Sequence, residues 1–233
     1  MSINIIEGSI FTSKCKTLVN TVNCVGVMGA GIALEYRLRY PDMYKKYVEI
    51  CVKNQLSVGN LWLYKSDAKW ILNFPTKKHW RYPSKKEYLN NGLKKFLETY
   101  ESKGITTIAF PLLGTDKGGI DQDESLQIMK SHLNHISIDI EIYKRDRNAK
   151  DDLYDKIRDW LIKENIEEIS KITKLRKDYI TIVIKEMKSP DSSIVQLNQL
   201  AHIKGIGIKT LEVLFQTAQQ LLKYEANGSE RAK

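Results

Sequence analysis

Over the first 145 residues, short apolar runs rich in β-branched residues alternate with stretches of helical periodicity, and that alternation permits few folds. "INIIE" (3–7) and "TLVNTV" (17–22) read as strands. "GIALEYRLRYPDMYKKYVEICVKN" reads as helix, interrupted before Pro41, because a proline disfavours helical backbone in the residue ahead of it. "NLWLY" and "KWILNFP" read as a strand pair around "KSDA", and "KKEYLNNGLKKFLETYESKG" as an amphipathic helix closed by Gly104. "ITTIAFPLL" is a buried strand, "DQDESLQIMKSHLNHI" a helix with an acidic first turn, and "IDIEIYK" a last strand. Strands that alternate with helices are covered on both faces, so a three-layer α/β unit over residues 1–145 is expected.

Beyond a charged linker, "KRDRNAKDD", the alternation stops, and residues 151–225 read as a small all-α module. "DYITIVIKEM" is compatible with strand or helix; its length and surroundings favour helix. "SPDSS" reads as a loop with a helix N-cap signal, and "NGSERAK" as a frayed tail. The formal charge is +9, and from Asp151 onward 14 Lys and Arg face 13 Asp and Glu. The basic excess therefore sits in the first unit, consistent with a polyanion partner or with lysines on solvated faces. Cys15, Cys24 and Cys51 lack metal-ligand spacing and are odd in number, which implies reduced thiols and no metal site. With no leader signal and no apolar run near the roughly 18 residues of a membrane span, a cytoplasmic protein without membrane partners is expected.

Three loops carry the chemistry, and each follows a strand, which in a parallel sheet gathers them at the carboxyl edge. The first, "NTVNCVGVMGAGIAL", thins the backbone at Gly26, Gly29 and Gly31 before a helix starts near Ala30, an arrangement suited to a phosphate pair. Asn23 at its mouth has an amide that suits sugar hydroxyls or its own turn. The second, "PLLGTDKGGIDQ", repeats the theme with Gly114, Gly118 and Gly119, beside Asp116 and Asp121. Asp121 fits a helix N-cap. The third, "NFPTKKHWRYPSKK", sets Lys77, Lys78, His79, Trp80 and Arg81 past a strand end. Cations interleaved with aromatics suit nucleic acid, and a lysine pocketed beside other cations becomes a nucleophile or proton donor; a solvated basic loop is the plainer reading.

Together the loops resemble those of macrodomains. "NTVNCVGVMGAGIAL" is similar to their ribose and phosphate loop and "PLLGTDKGGID" to their second phosphate-binding loop. "NFPTKKHWR" resembles the lysine loop of one branch, that of the terminal ADP-ribose protein glycohydrolase and the DarG antitoxin. DarG removes ADP-ribose from thymidine bases in DNA modified by the DarT toxin, and the likeness to its macrodomain is the greater. The resemblance implies a three-layer α/β/α fold with a mixed sheet. It implies that Gly29, Ala30, Gly31 and Ile32 approach the diphosphate of ADP-ribose and that Asn23 holds the distal ribose. Leu113, Gly114, Thr115, Lys117, Gly118 and Gly119 would wrap the diphosphate from the other side, with Thr76 adjoining. Lys77 becomes the catalytic candidate, acting at the anomeric carbon or on the leaving base, with Asp121 in support. Ser9, next to Ile10, stands where many macrodomains have an adenine-reading aspartate. Lys78, His79, Trp80 and Arg81 would meet DNA. No cofactor or metal is implied, ADP-ribose being ligand or product. The implied partners are ADP-ribosylated DNA and a DNA ADP-ribosyltransferase toxin. A non-catalytic reader of ADP-ribose or nucleic acid and a glycohydrolase acting on protein carboxylates are the alternatives.

In the second module, "LNQLAHIKGIGIKTLEVLFQTAQQLL" places Gly205 and Gly207 between two apolar-periodic segments and Lys209 just after. The pattern resembles a helix-hairpin-helix motif, which grips a DNA phosphate with backbone N–H groups and a lysine; an ordinary αα-turn is the alternative.

Overall fold

The computed structural model describes residues 3–230. The chain divides into two compact units, with the boundary between Asp146 and Arg147. In the first unit six strands form one sheet: β1 (Ile3–Gly8), β2 (Thr17–Val22), β3 (Trp62–Lys65), β4 (Trp70–Pro75), β5 (Thr107–Pro111) and β6 (Asp139–Arg145). Their order is β1-β6-β5-β2-β4-β3. All neighbours pair parallel except β3 with β4, the expected pair around "KSDA", which is antiparallel and makes the sheet mixed.

The strands separate two apolar layers because their side chains alternate. Val19, Leu72, Phe74, Ile108, Phe110, Ile140 and Ile142 face α3 (Lys86–Thr99) and α4 (Gln122–Leu133), which contribute Leu89, Leu93, Phe96, Met129 and Leu133. Leu18, Val22, Ile71, Ala109 and Tyr143 face α1 (Gly31–Arg39) and α2 (Pro41–Val52), which contribute Tyr36, Met43, Tyr47 and Cys51. The break between α1 and α2 falls at Tyr40, directly before Pro41.

Two contacts bear on the functional edge. Gly92 of α3 lies so close to Phe74 that a Cβ there would meet the ring at 2.2 Å, so the helix packs on β4 through a missing side chain. On the other face Asn20 and Asn73 are in register on β2 and β4, fully buried, and Asn20 donates to Asn73 Oδ1 at 3.0 Å. Each of these asparagines stands three residues ahead of a functional loop position, Asn23 and Thr76. A buried amide pair fixes strand register where a slip would leave polar groups unsatisfied.

The second unit is helical: α5 (Tyr154–Lys163), α6 (Ile166–Thr173), α7 (Lys177–Lys188), a 3-10 segment Leu197–His202 and α8 (Ile208–Glu230). The ambiguous "DYITIVIKEM" is α7, decided by the helical spacing of its buried residues Ile180, Val183 and Met187. "SPDSS" precedes no α-helix, contrary to the N-cap signal: Ser189 and Ser192 hydroxyls accept from Asp191 and Ile194 N–H in local turns, and the next helical segment starts only at Leu197. The tail expected to fray from Asn227 is helical through Glu230, while residues 231–233 lie outside the described residues.

Candidate functional site

Four of the adjacent parallel strands release loops at one edge of the sheet. Ser9 and Ile10 follow β1, the glycine loop 112–121 follows β5, residues 23–30 follow β2 and residues 76–85 follow β4. From β1 to β4 there are four inter-strand steps, a span of about 19 Å at ~4.8 Å per step. This order along the edge puts the lysine loop at one end and Ser9 at the other.

The first loop is held by its own asparagine. Asn23 is buried, and its Oδ1 accepts from Val25 N–H at 3.0 Å and from the Tyr47 hydroxyl at 3.2 Å. Its amide donates to the Val27 carbonyl, and the Tyr47 hydroxyl also donates to the Asn23 carbonyl at 2.7 Å. The turn reading of Asn23 is thus present in the structure. Gly26 (φ +78°) and Gly31 (φ +59°) adopt left-handed backbone that other residues rarely take. Gly29, Ala30, Gly31 and Ile32 lead into α1, whose N-cap, Ala30, offers no side-chain acceptor. The first-turn N–H groups are therefore open to an anion.

The second loop folds on itself as a short 3-10 turn over Asp116–Gly118. Gly118 donates to the Thr115 carbonyl at 2.7 Å, Ile120 to that of Gly114 at 3.0 Å, and the Thr115 hydroxyl to that of Leu112 at 3.1 Å. Leu113 is buried, and its carbonyl takes the Ser125 hydroxyl of α4 at 2.7 Å. A Cβ on Gly118 would sit 2.7 Å from Ser84 Oγ, so Ser84 would have to shift to admit a side chain there. Asp116 is exposed and stands 3.8 Å from Arg145. Asp121 caps α4, its Oδ1 accepting from Asp123 and Glu124 N–H at 2.9 and 3.1 Å. The capping reading of Asp121 is therefore the one its contacts favour.

Lys77 contacts both of these loops. Thr76 N–H donates to the Val22 carbonyl at 2.9 Å, carrying the β2–β4 ladder one step past the strands. The Lys77 ammonium donates to the Lys117 carbonyl of the second loop. On the other side, Cys24 of the first loop donates its N–H to the Lys78 carbonyl at 3.2 Å and its thiol to the Lys77 carbonyl at 3.4 Å. Partial burial lowers the Lys77 pKa, and the nearby Lys117 charge lowers it further. Lysine here is thus shifted toward the neutral amine.

Beyond Lys77 the third loop presents aromatics and cations together. His79 stacks on Trp80 with ring centroids 5.5 Å apart and meets Tyr82 at the same distance, while the Arg81 guanidinium lies 4.8 Å from the Trp80 ring. Trp80 and Tyr82 are 47% and 64% exposed, aromatic surface that the fold leaves uncovered. Lys78 is exposed, with its ammonium 6.0 Å from the Tyr88 ring. Tyr82, Tyr47 and Cys24 escape sequence reasoning as site residues: Tyr47 occupies an ordinary apolar position of a helix, and a cysteine in a glycine loop reads first as packing.

Residues 19–129 match the Macro domain family. The solved macrodomain of Thermus aquaticus DarG is 35% identical with a TM-score of 0.59, and the similarity covers 61% of this chain and 98% of that one. The chain belongs to the macro domain family. The macro domain is also similar to the DNA ADP-ribosyl glycohydrolase of Mycobacterium tuberculosis, 38% identical over 142 residues, 59% of this chain and 40% of that protein. Thermosipho africanus DarTG, solved in complex with ADP-ribose, is 32% identical with a TM-score of 0.59, covering 62% and 42% of the two chains. The chain spans about two fifths of the length of the curated relatives it matches.

In the second unit Gly205 (φ +92°) makes the corner before α8, with Gly207 and the exposed Lys209 at the start of the helix. The segment ahead of the corner is the 3-10 turn Leu197–His202, not the α-helix that a helix-hairpin-helix pairs with its partner. It is fixed by a reciprocal Gln196–Gln199 capping box and by Asp151, which accepts from Leu197 N–H at 2.7 Å. Among the described residues no cluster of His, Cys, Asp or Glu could hold a metal, and no helix is long and apolar enough to cross a membrane. The three cysteines are free thiols.

Proposed function

We propose that the macro domain binds ADP-ribose along the sheet edge and hydrolyses its glycosidic bond to a base of modified DNA, thymidine being the expected base. The observation that carries this reading is the placement of Lys77. A lysine with a lowered pKa, held by two ligand-type glycine loops, stands at one end of a site about 19 Å long. In this reading the adenosine end lies toward Ser9 and Ile10, and the diphosphate lies between the N-terminus of α1 and residues 113–119. The distal ribose then reaches Asn23 and Lys77. Fixing the sugar against the lysine supplies orientation, and uncapped N–H groups offset the diphosphate charge without a metal or cofactor.

The leaving base falls next to Trp80, His79 and Tyr82, whose exposed faces suit bases that are already unstacked, and Lys78 and Arg81 suit the phosphates between them. That surface favours nucleic acid over a protein carboxylate as the group released. Lys209 and the glycines at 205 and 207 would add sequence-independent contact with phosphates. A hydrolase of this kind reverses a DNA ADP-ribosyltransferase, so an antitoxin or repair role follows, with such a transferase as functional partner. The test is release of free ADP-ribose from a thymidine-modified single-stranded oligonucleotide, run beside an auto-modified protein carrying ADP-ribose on carboxylates. Release from DNA supports the proposal; release from protein alone moves the substrate to carboxylates; binding of ADP-ribose without release from either leaves a reader.

A further inference from the structure

We propose that Cys24 is a positioning residue for Lys77, acting as a protonated hydrogen-bond donor that ties the lysine backbone to the ribose loop. The inference rests on the glycohydrolase reading for its kinetic consequence and on geometry for its structural one. Residue 24 contributes two of the bonds that hold the lysine turn, one from its backbone N–H to the Lys78 carbonyl at 3.2 Å and one from its thiol to the Lys77 carbonyl at 3.4 Å. The residue before it is anchored in turn: the Tyr47 hydroxyl of α2, buried in the core, donates to the Asn23 carbonyl at 2.7 Å. A chain of hydrogen bonds thus runs from α2 through residues 23 and 24 to the backbone of Lys77, whose ammonium rests on the opposite glycine loop.

A lysine side chain has four rotatable bonds, so fixing its backbone is the main way a fold can narrow the positions its nitrogen samples. The thiol is suited to donate throughout the neutral range, because burial pushes its pKa up to about 11, with the nearby Cys51 adding to the shift. For the same reason it is a poor nucleophile and no competitor of Lys77.

The test separates donor from filler. Cys24→Ser keeps a donor and gives up volume, whereas Cys24→Val keeps volume and gives up the donor. With the full chain and a thymidine-linked ADP-ribosylated oligonucleotide, Cys24→Val should lower kcat about threefold to tenfold, as loss of one modest hydrogen bond predicts. KM and the Kd for ADP-ribose should stay within about twofold, and Cys24→Ser should stay within about twofold of wild type throughout. Independently of turnover, acetylation of Lys77 by acetic anhydride, followed by peptide mass spectrometry, should run at least about threefold faster in Cys24→Val than in wild type or Cys24→Ser, since a released lysine turn exposes the amine. The reverse order, with serine impaired and valine intact, would assign Cys24 to packing and overturn the proposal, as would equal kcat and equal labelling in all three proteins. A wild type that binds ADP-ribose but releases none would refute the glycohydrolase reading, while the labelling rates would still decide the role of Cys24.

Discussion

Replacing Gly92 by alanine opposes two effects of different size, and the structure says which one wins. In an exposed helix the change gains about 1 kcal/mol, because glycine is the poorer helix former. Here the new Cβ would lie 2.2 and 2.4 Å from two atoms of the Phe74 ring, so the ring must retreat by more than about 1 Å to recover an ordinary carbon contact. Phe74 is fully buried, in one apolar layer with Leu89, Leu93 and Phe110. Overpacking of a close-packed core costs roughly 1–3 kcal/mol, and a displaced aromatic ring belongs at the upper end. The expected net loss is about 2 kcal/mol, or a fall of roughly 4–8 °C in Tm for a unit of this size. Because Phe74 lies three residues ahead of Lys77, hydrolysis should fall as well. Thermal and urea melts of Gly92→Ala, alone and with Phe74→Leu, are the assay. The smaller side chain should restore most of the lost stability. A Gly92→Ala protein that melts above wild type would mean that helix propensity outweighs the contact, and would refute the packing account of how α3 seats β4.

Further outcomes follow from the site. Asp121→Asn keeps a good N-cap and should leave both Tm and hydrolysis near wild type, whereas Asp121→Ala should cost about 1 kcal/mol of stability; abolished turnover in Asp121→Asn would instead make the carboxylate a catalytic group. If Lys77 acts as the free amine, kcat should rise with pH through an apparent pKa below the ordinary lysine value, because burial and Lys117 favour the neutral form; if it acts as the proton donor, kcat should fall through that same pKa. The linked stability has a definite sign: with the folded pKa depressed, the unfolded chain binds more protons, so stability should rise with pH across the window from that value up to the unfolded one, and Lys77→Ala should flatten the rise. Lys209→Glu should weaken binding to unmodified duplex DNA and reduce its salt slope by about one, while leaving ADP-ribose affinity unchanged.

Much of the first unit was legible because its signals are local. Periodicity marks each strand and helix, Pro41 marks the break between α1 and α2, and Asp121 announces the cap of α4. The three loops could be grouped at one edge because parallel strands place their carboxyl ends together. What could not be read is pairwise and distant in sequence. The Gly92–Phe74 contact looks like a helix glycine of no consequence, the Tyr47 bond to Asn23 comes from a core position of α2, and the Cys24 bonds to Lys77 and Lys78 join loops more than fifty residues apart. In the second unit the two glycines located a corner, but the weak helical signal of "LNQLAH" gave no sign that only a 3-10 turn would form there.

The most direct test of the central claim is a paired measurement on wild type and Lys77→Ala: ADP-ribose released from a thymidine-modified single-stranded oligonucleotide, and ADP-ribose bound in a calorimetric titration. The account predicts that the variant binds ADP-ribose within a few fold of wild type and releases it at least about a hundredfold more slowly, as removal of a general acid, base or nucleophile does. Release by Lys77→Ala at the wild-type rate, with binding intact, would contradict the assignment of the chemistry to this lysine.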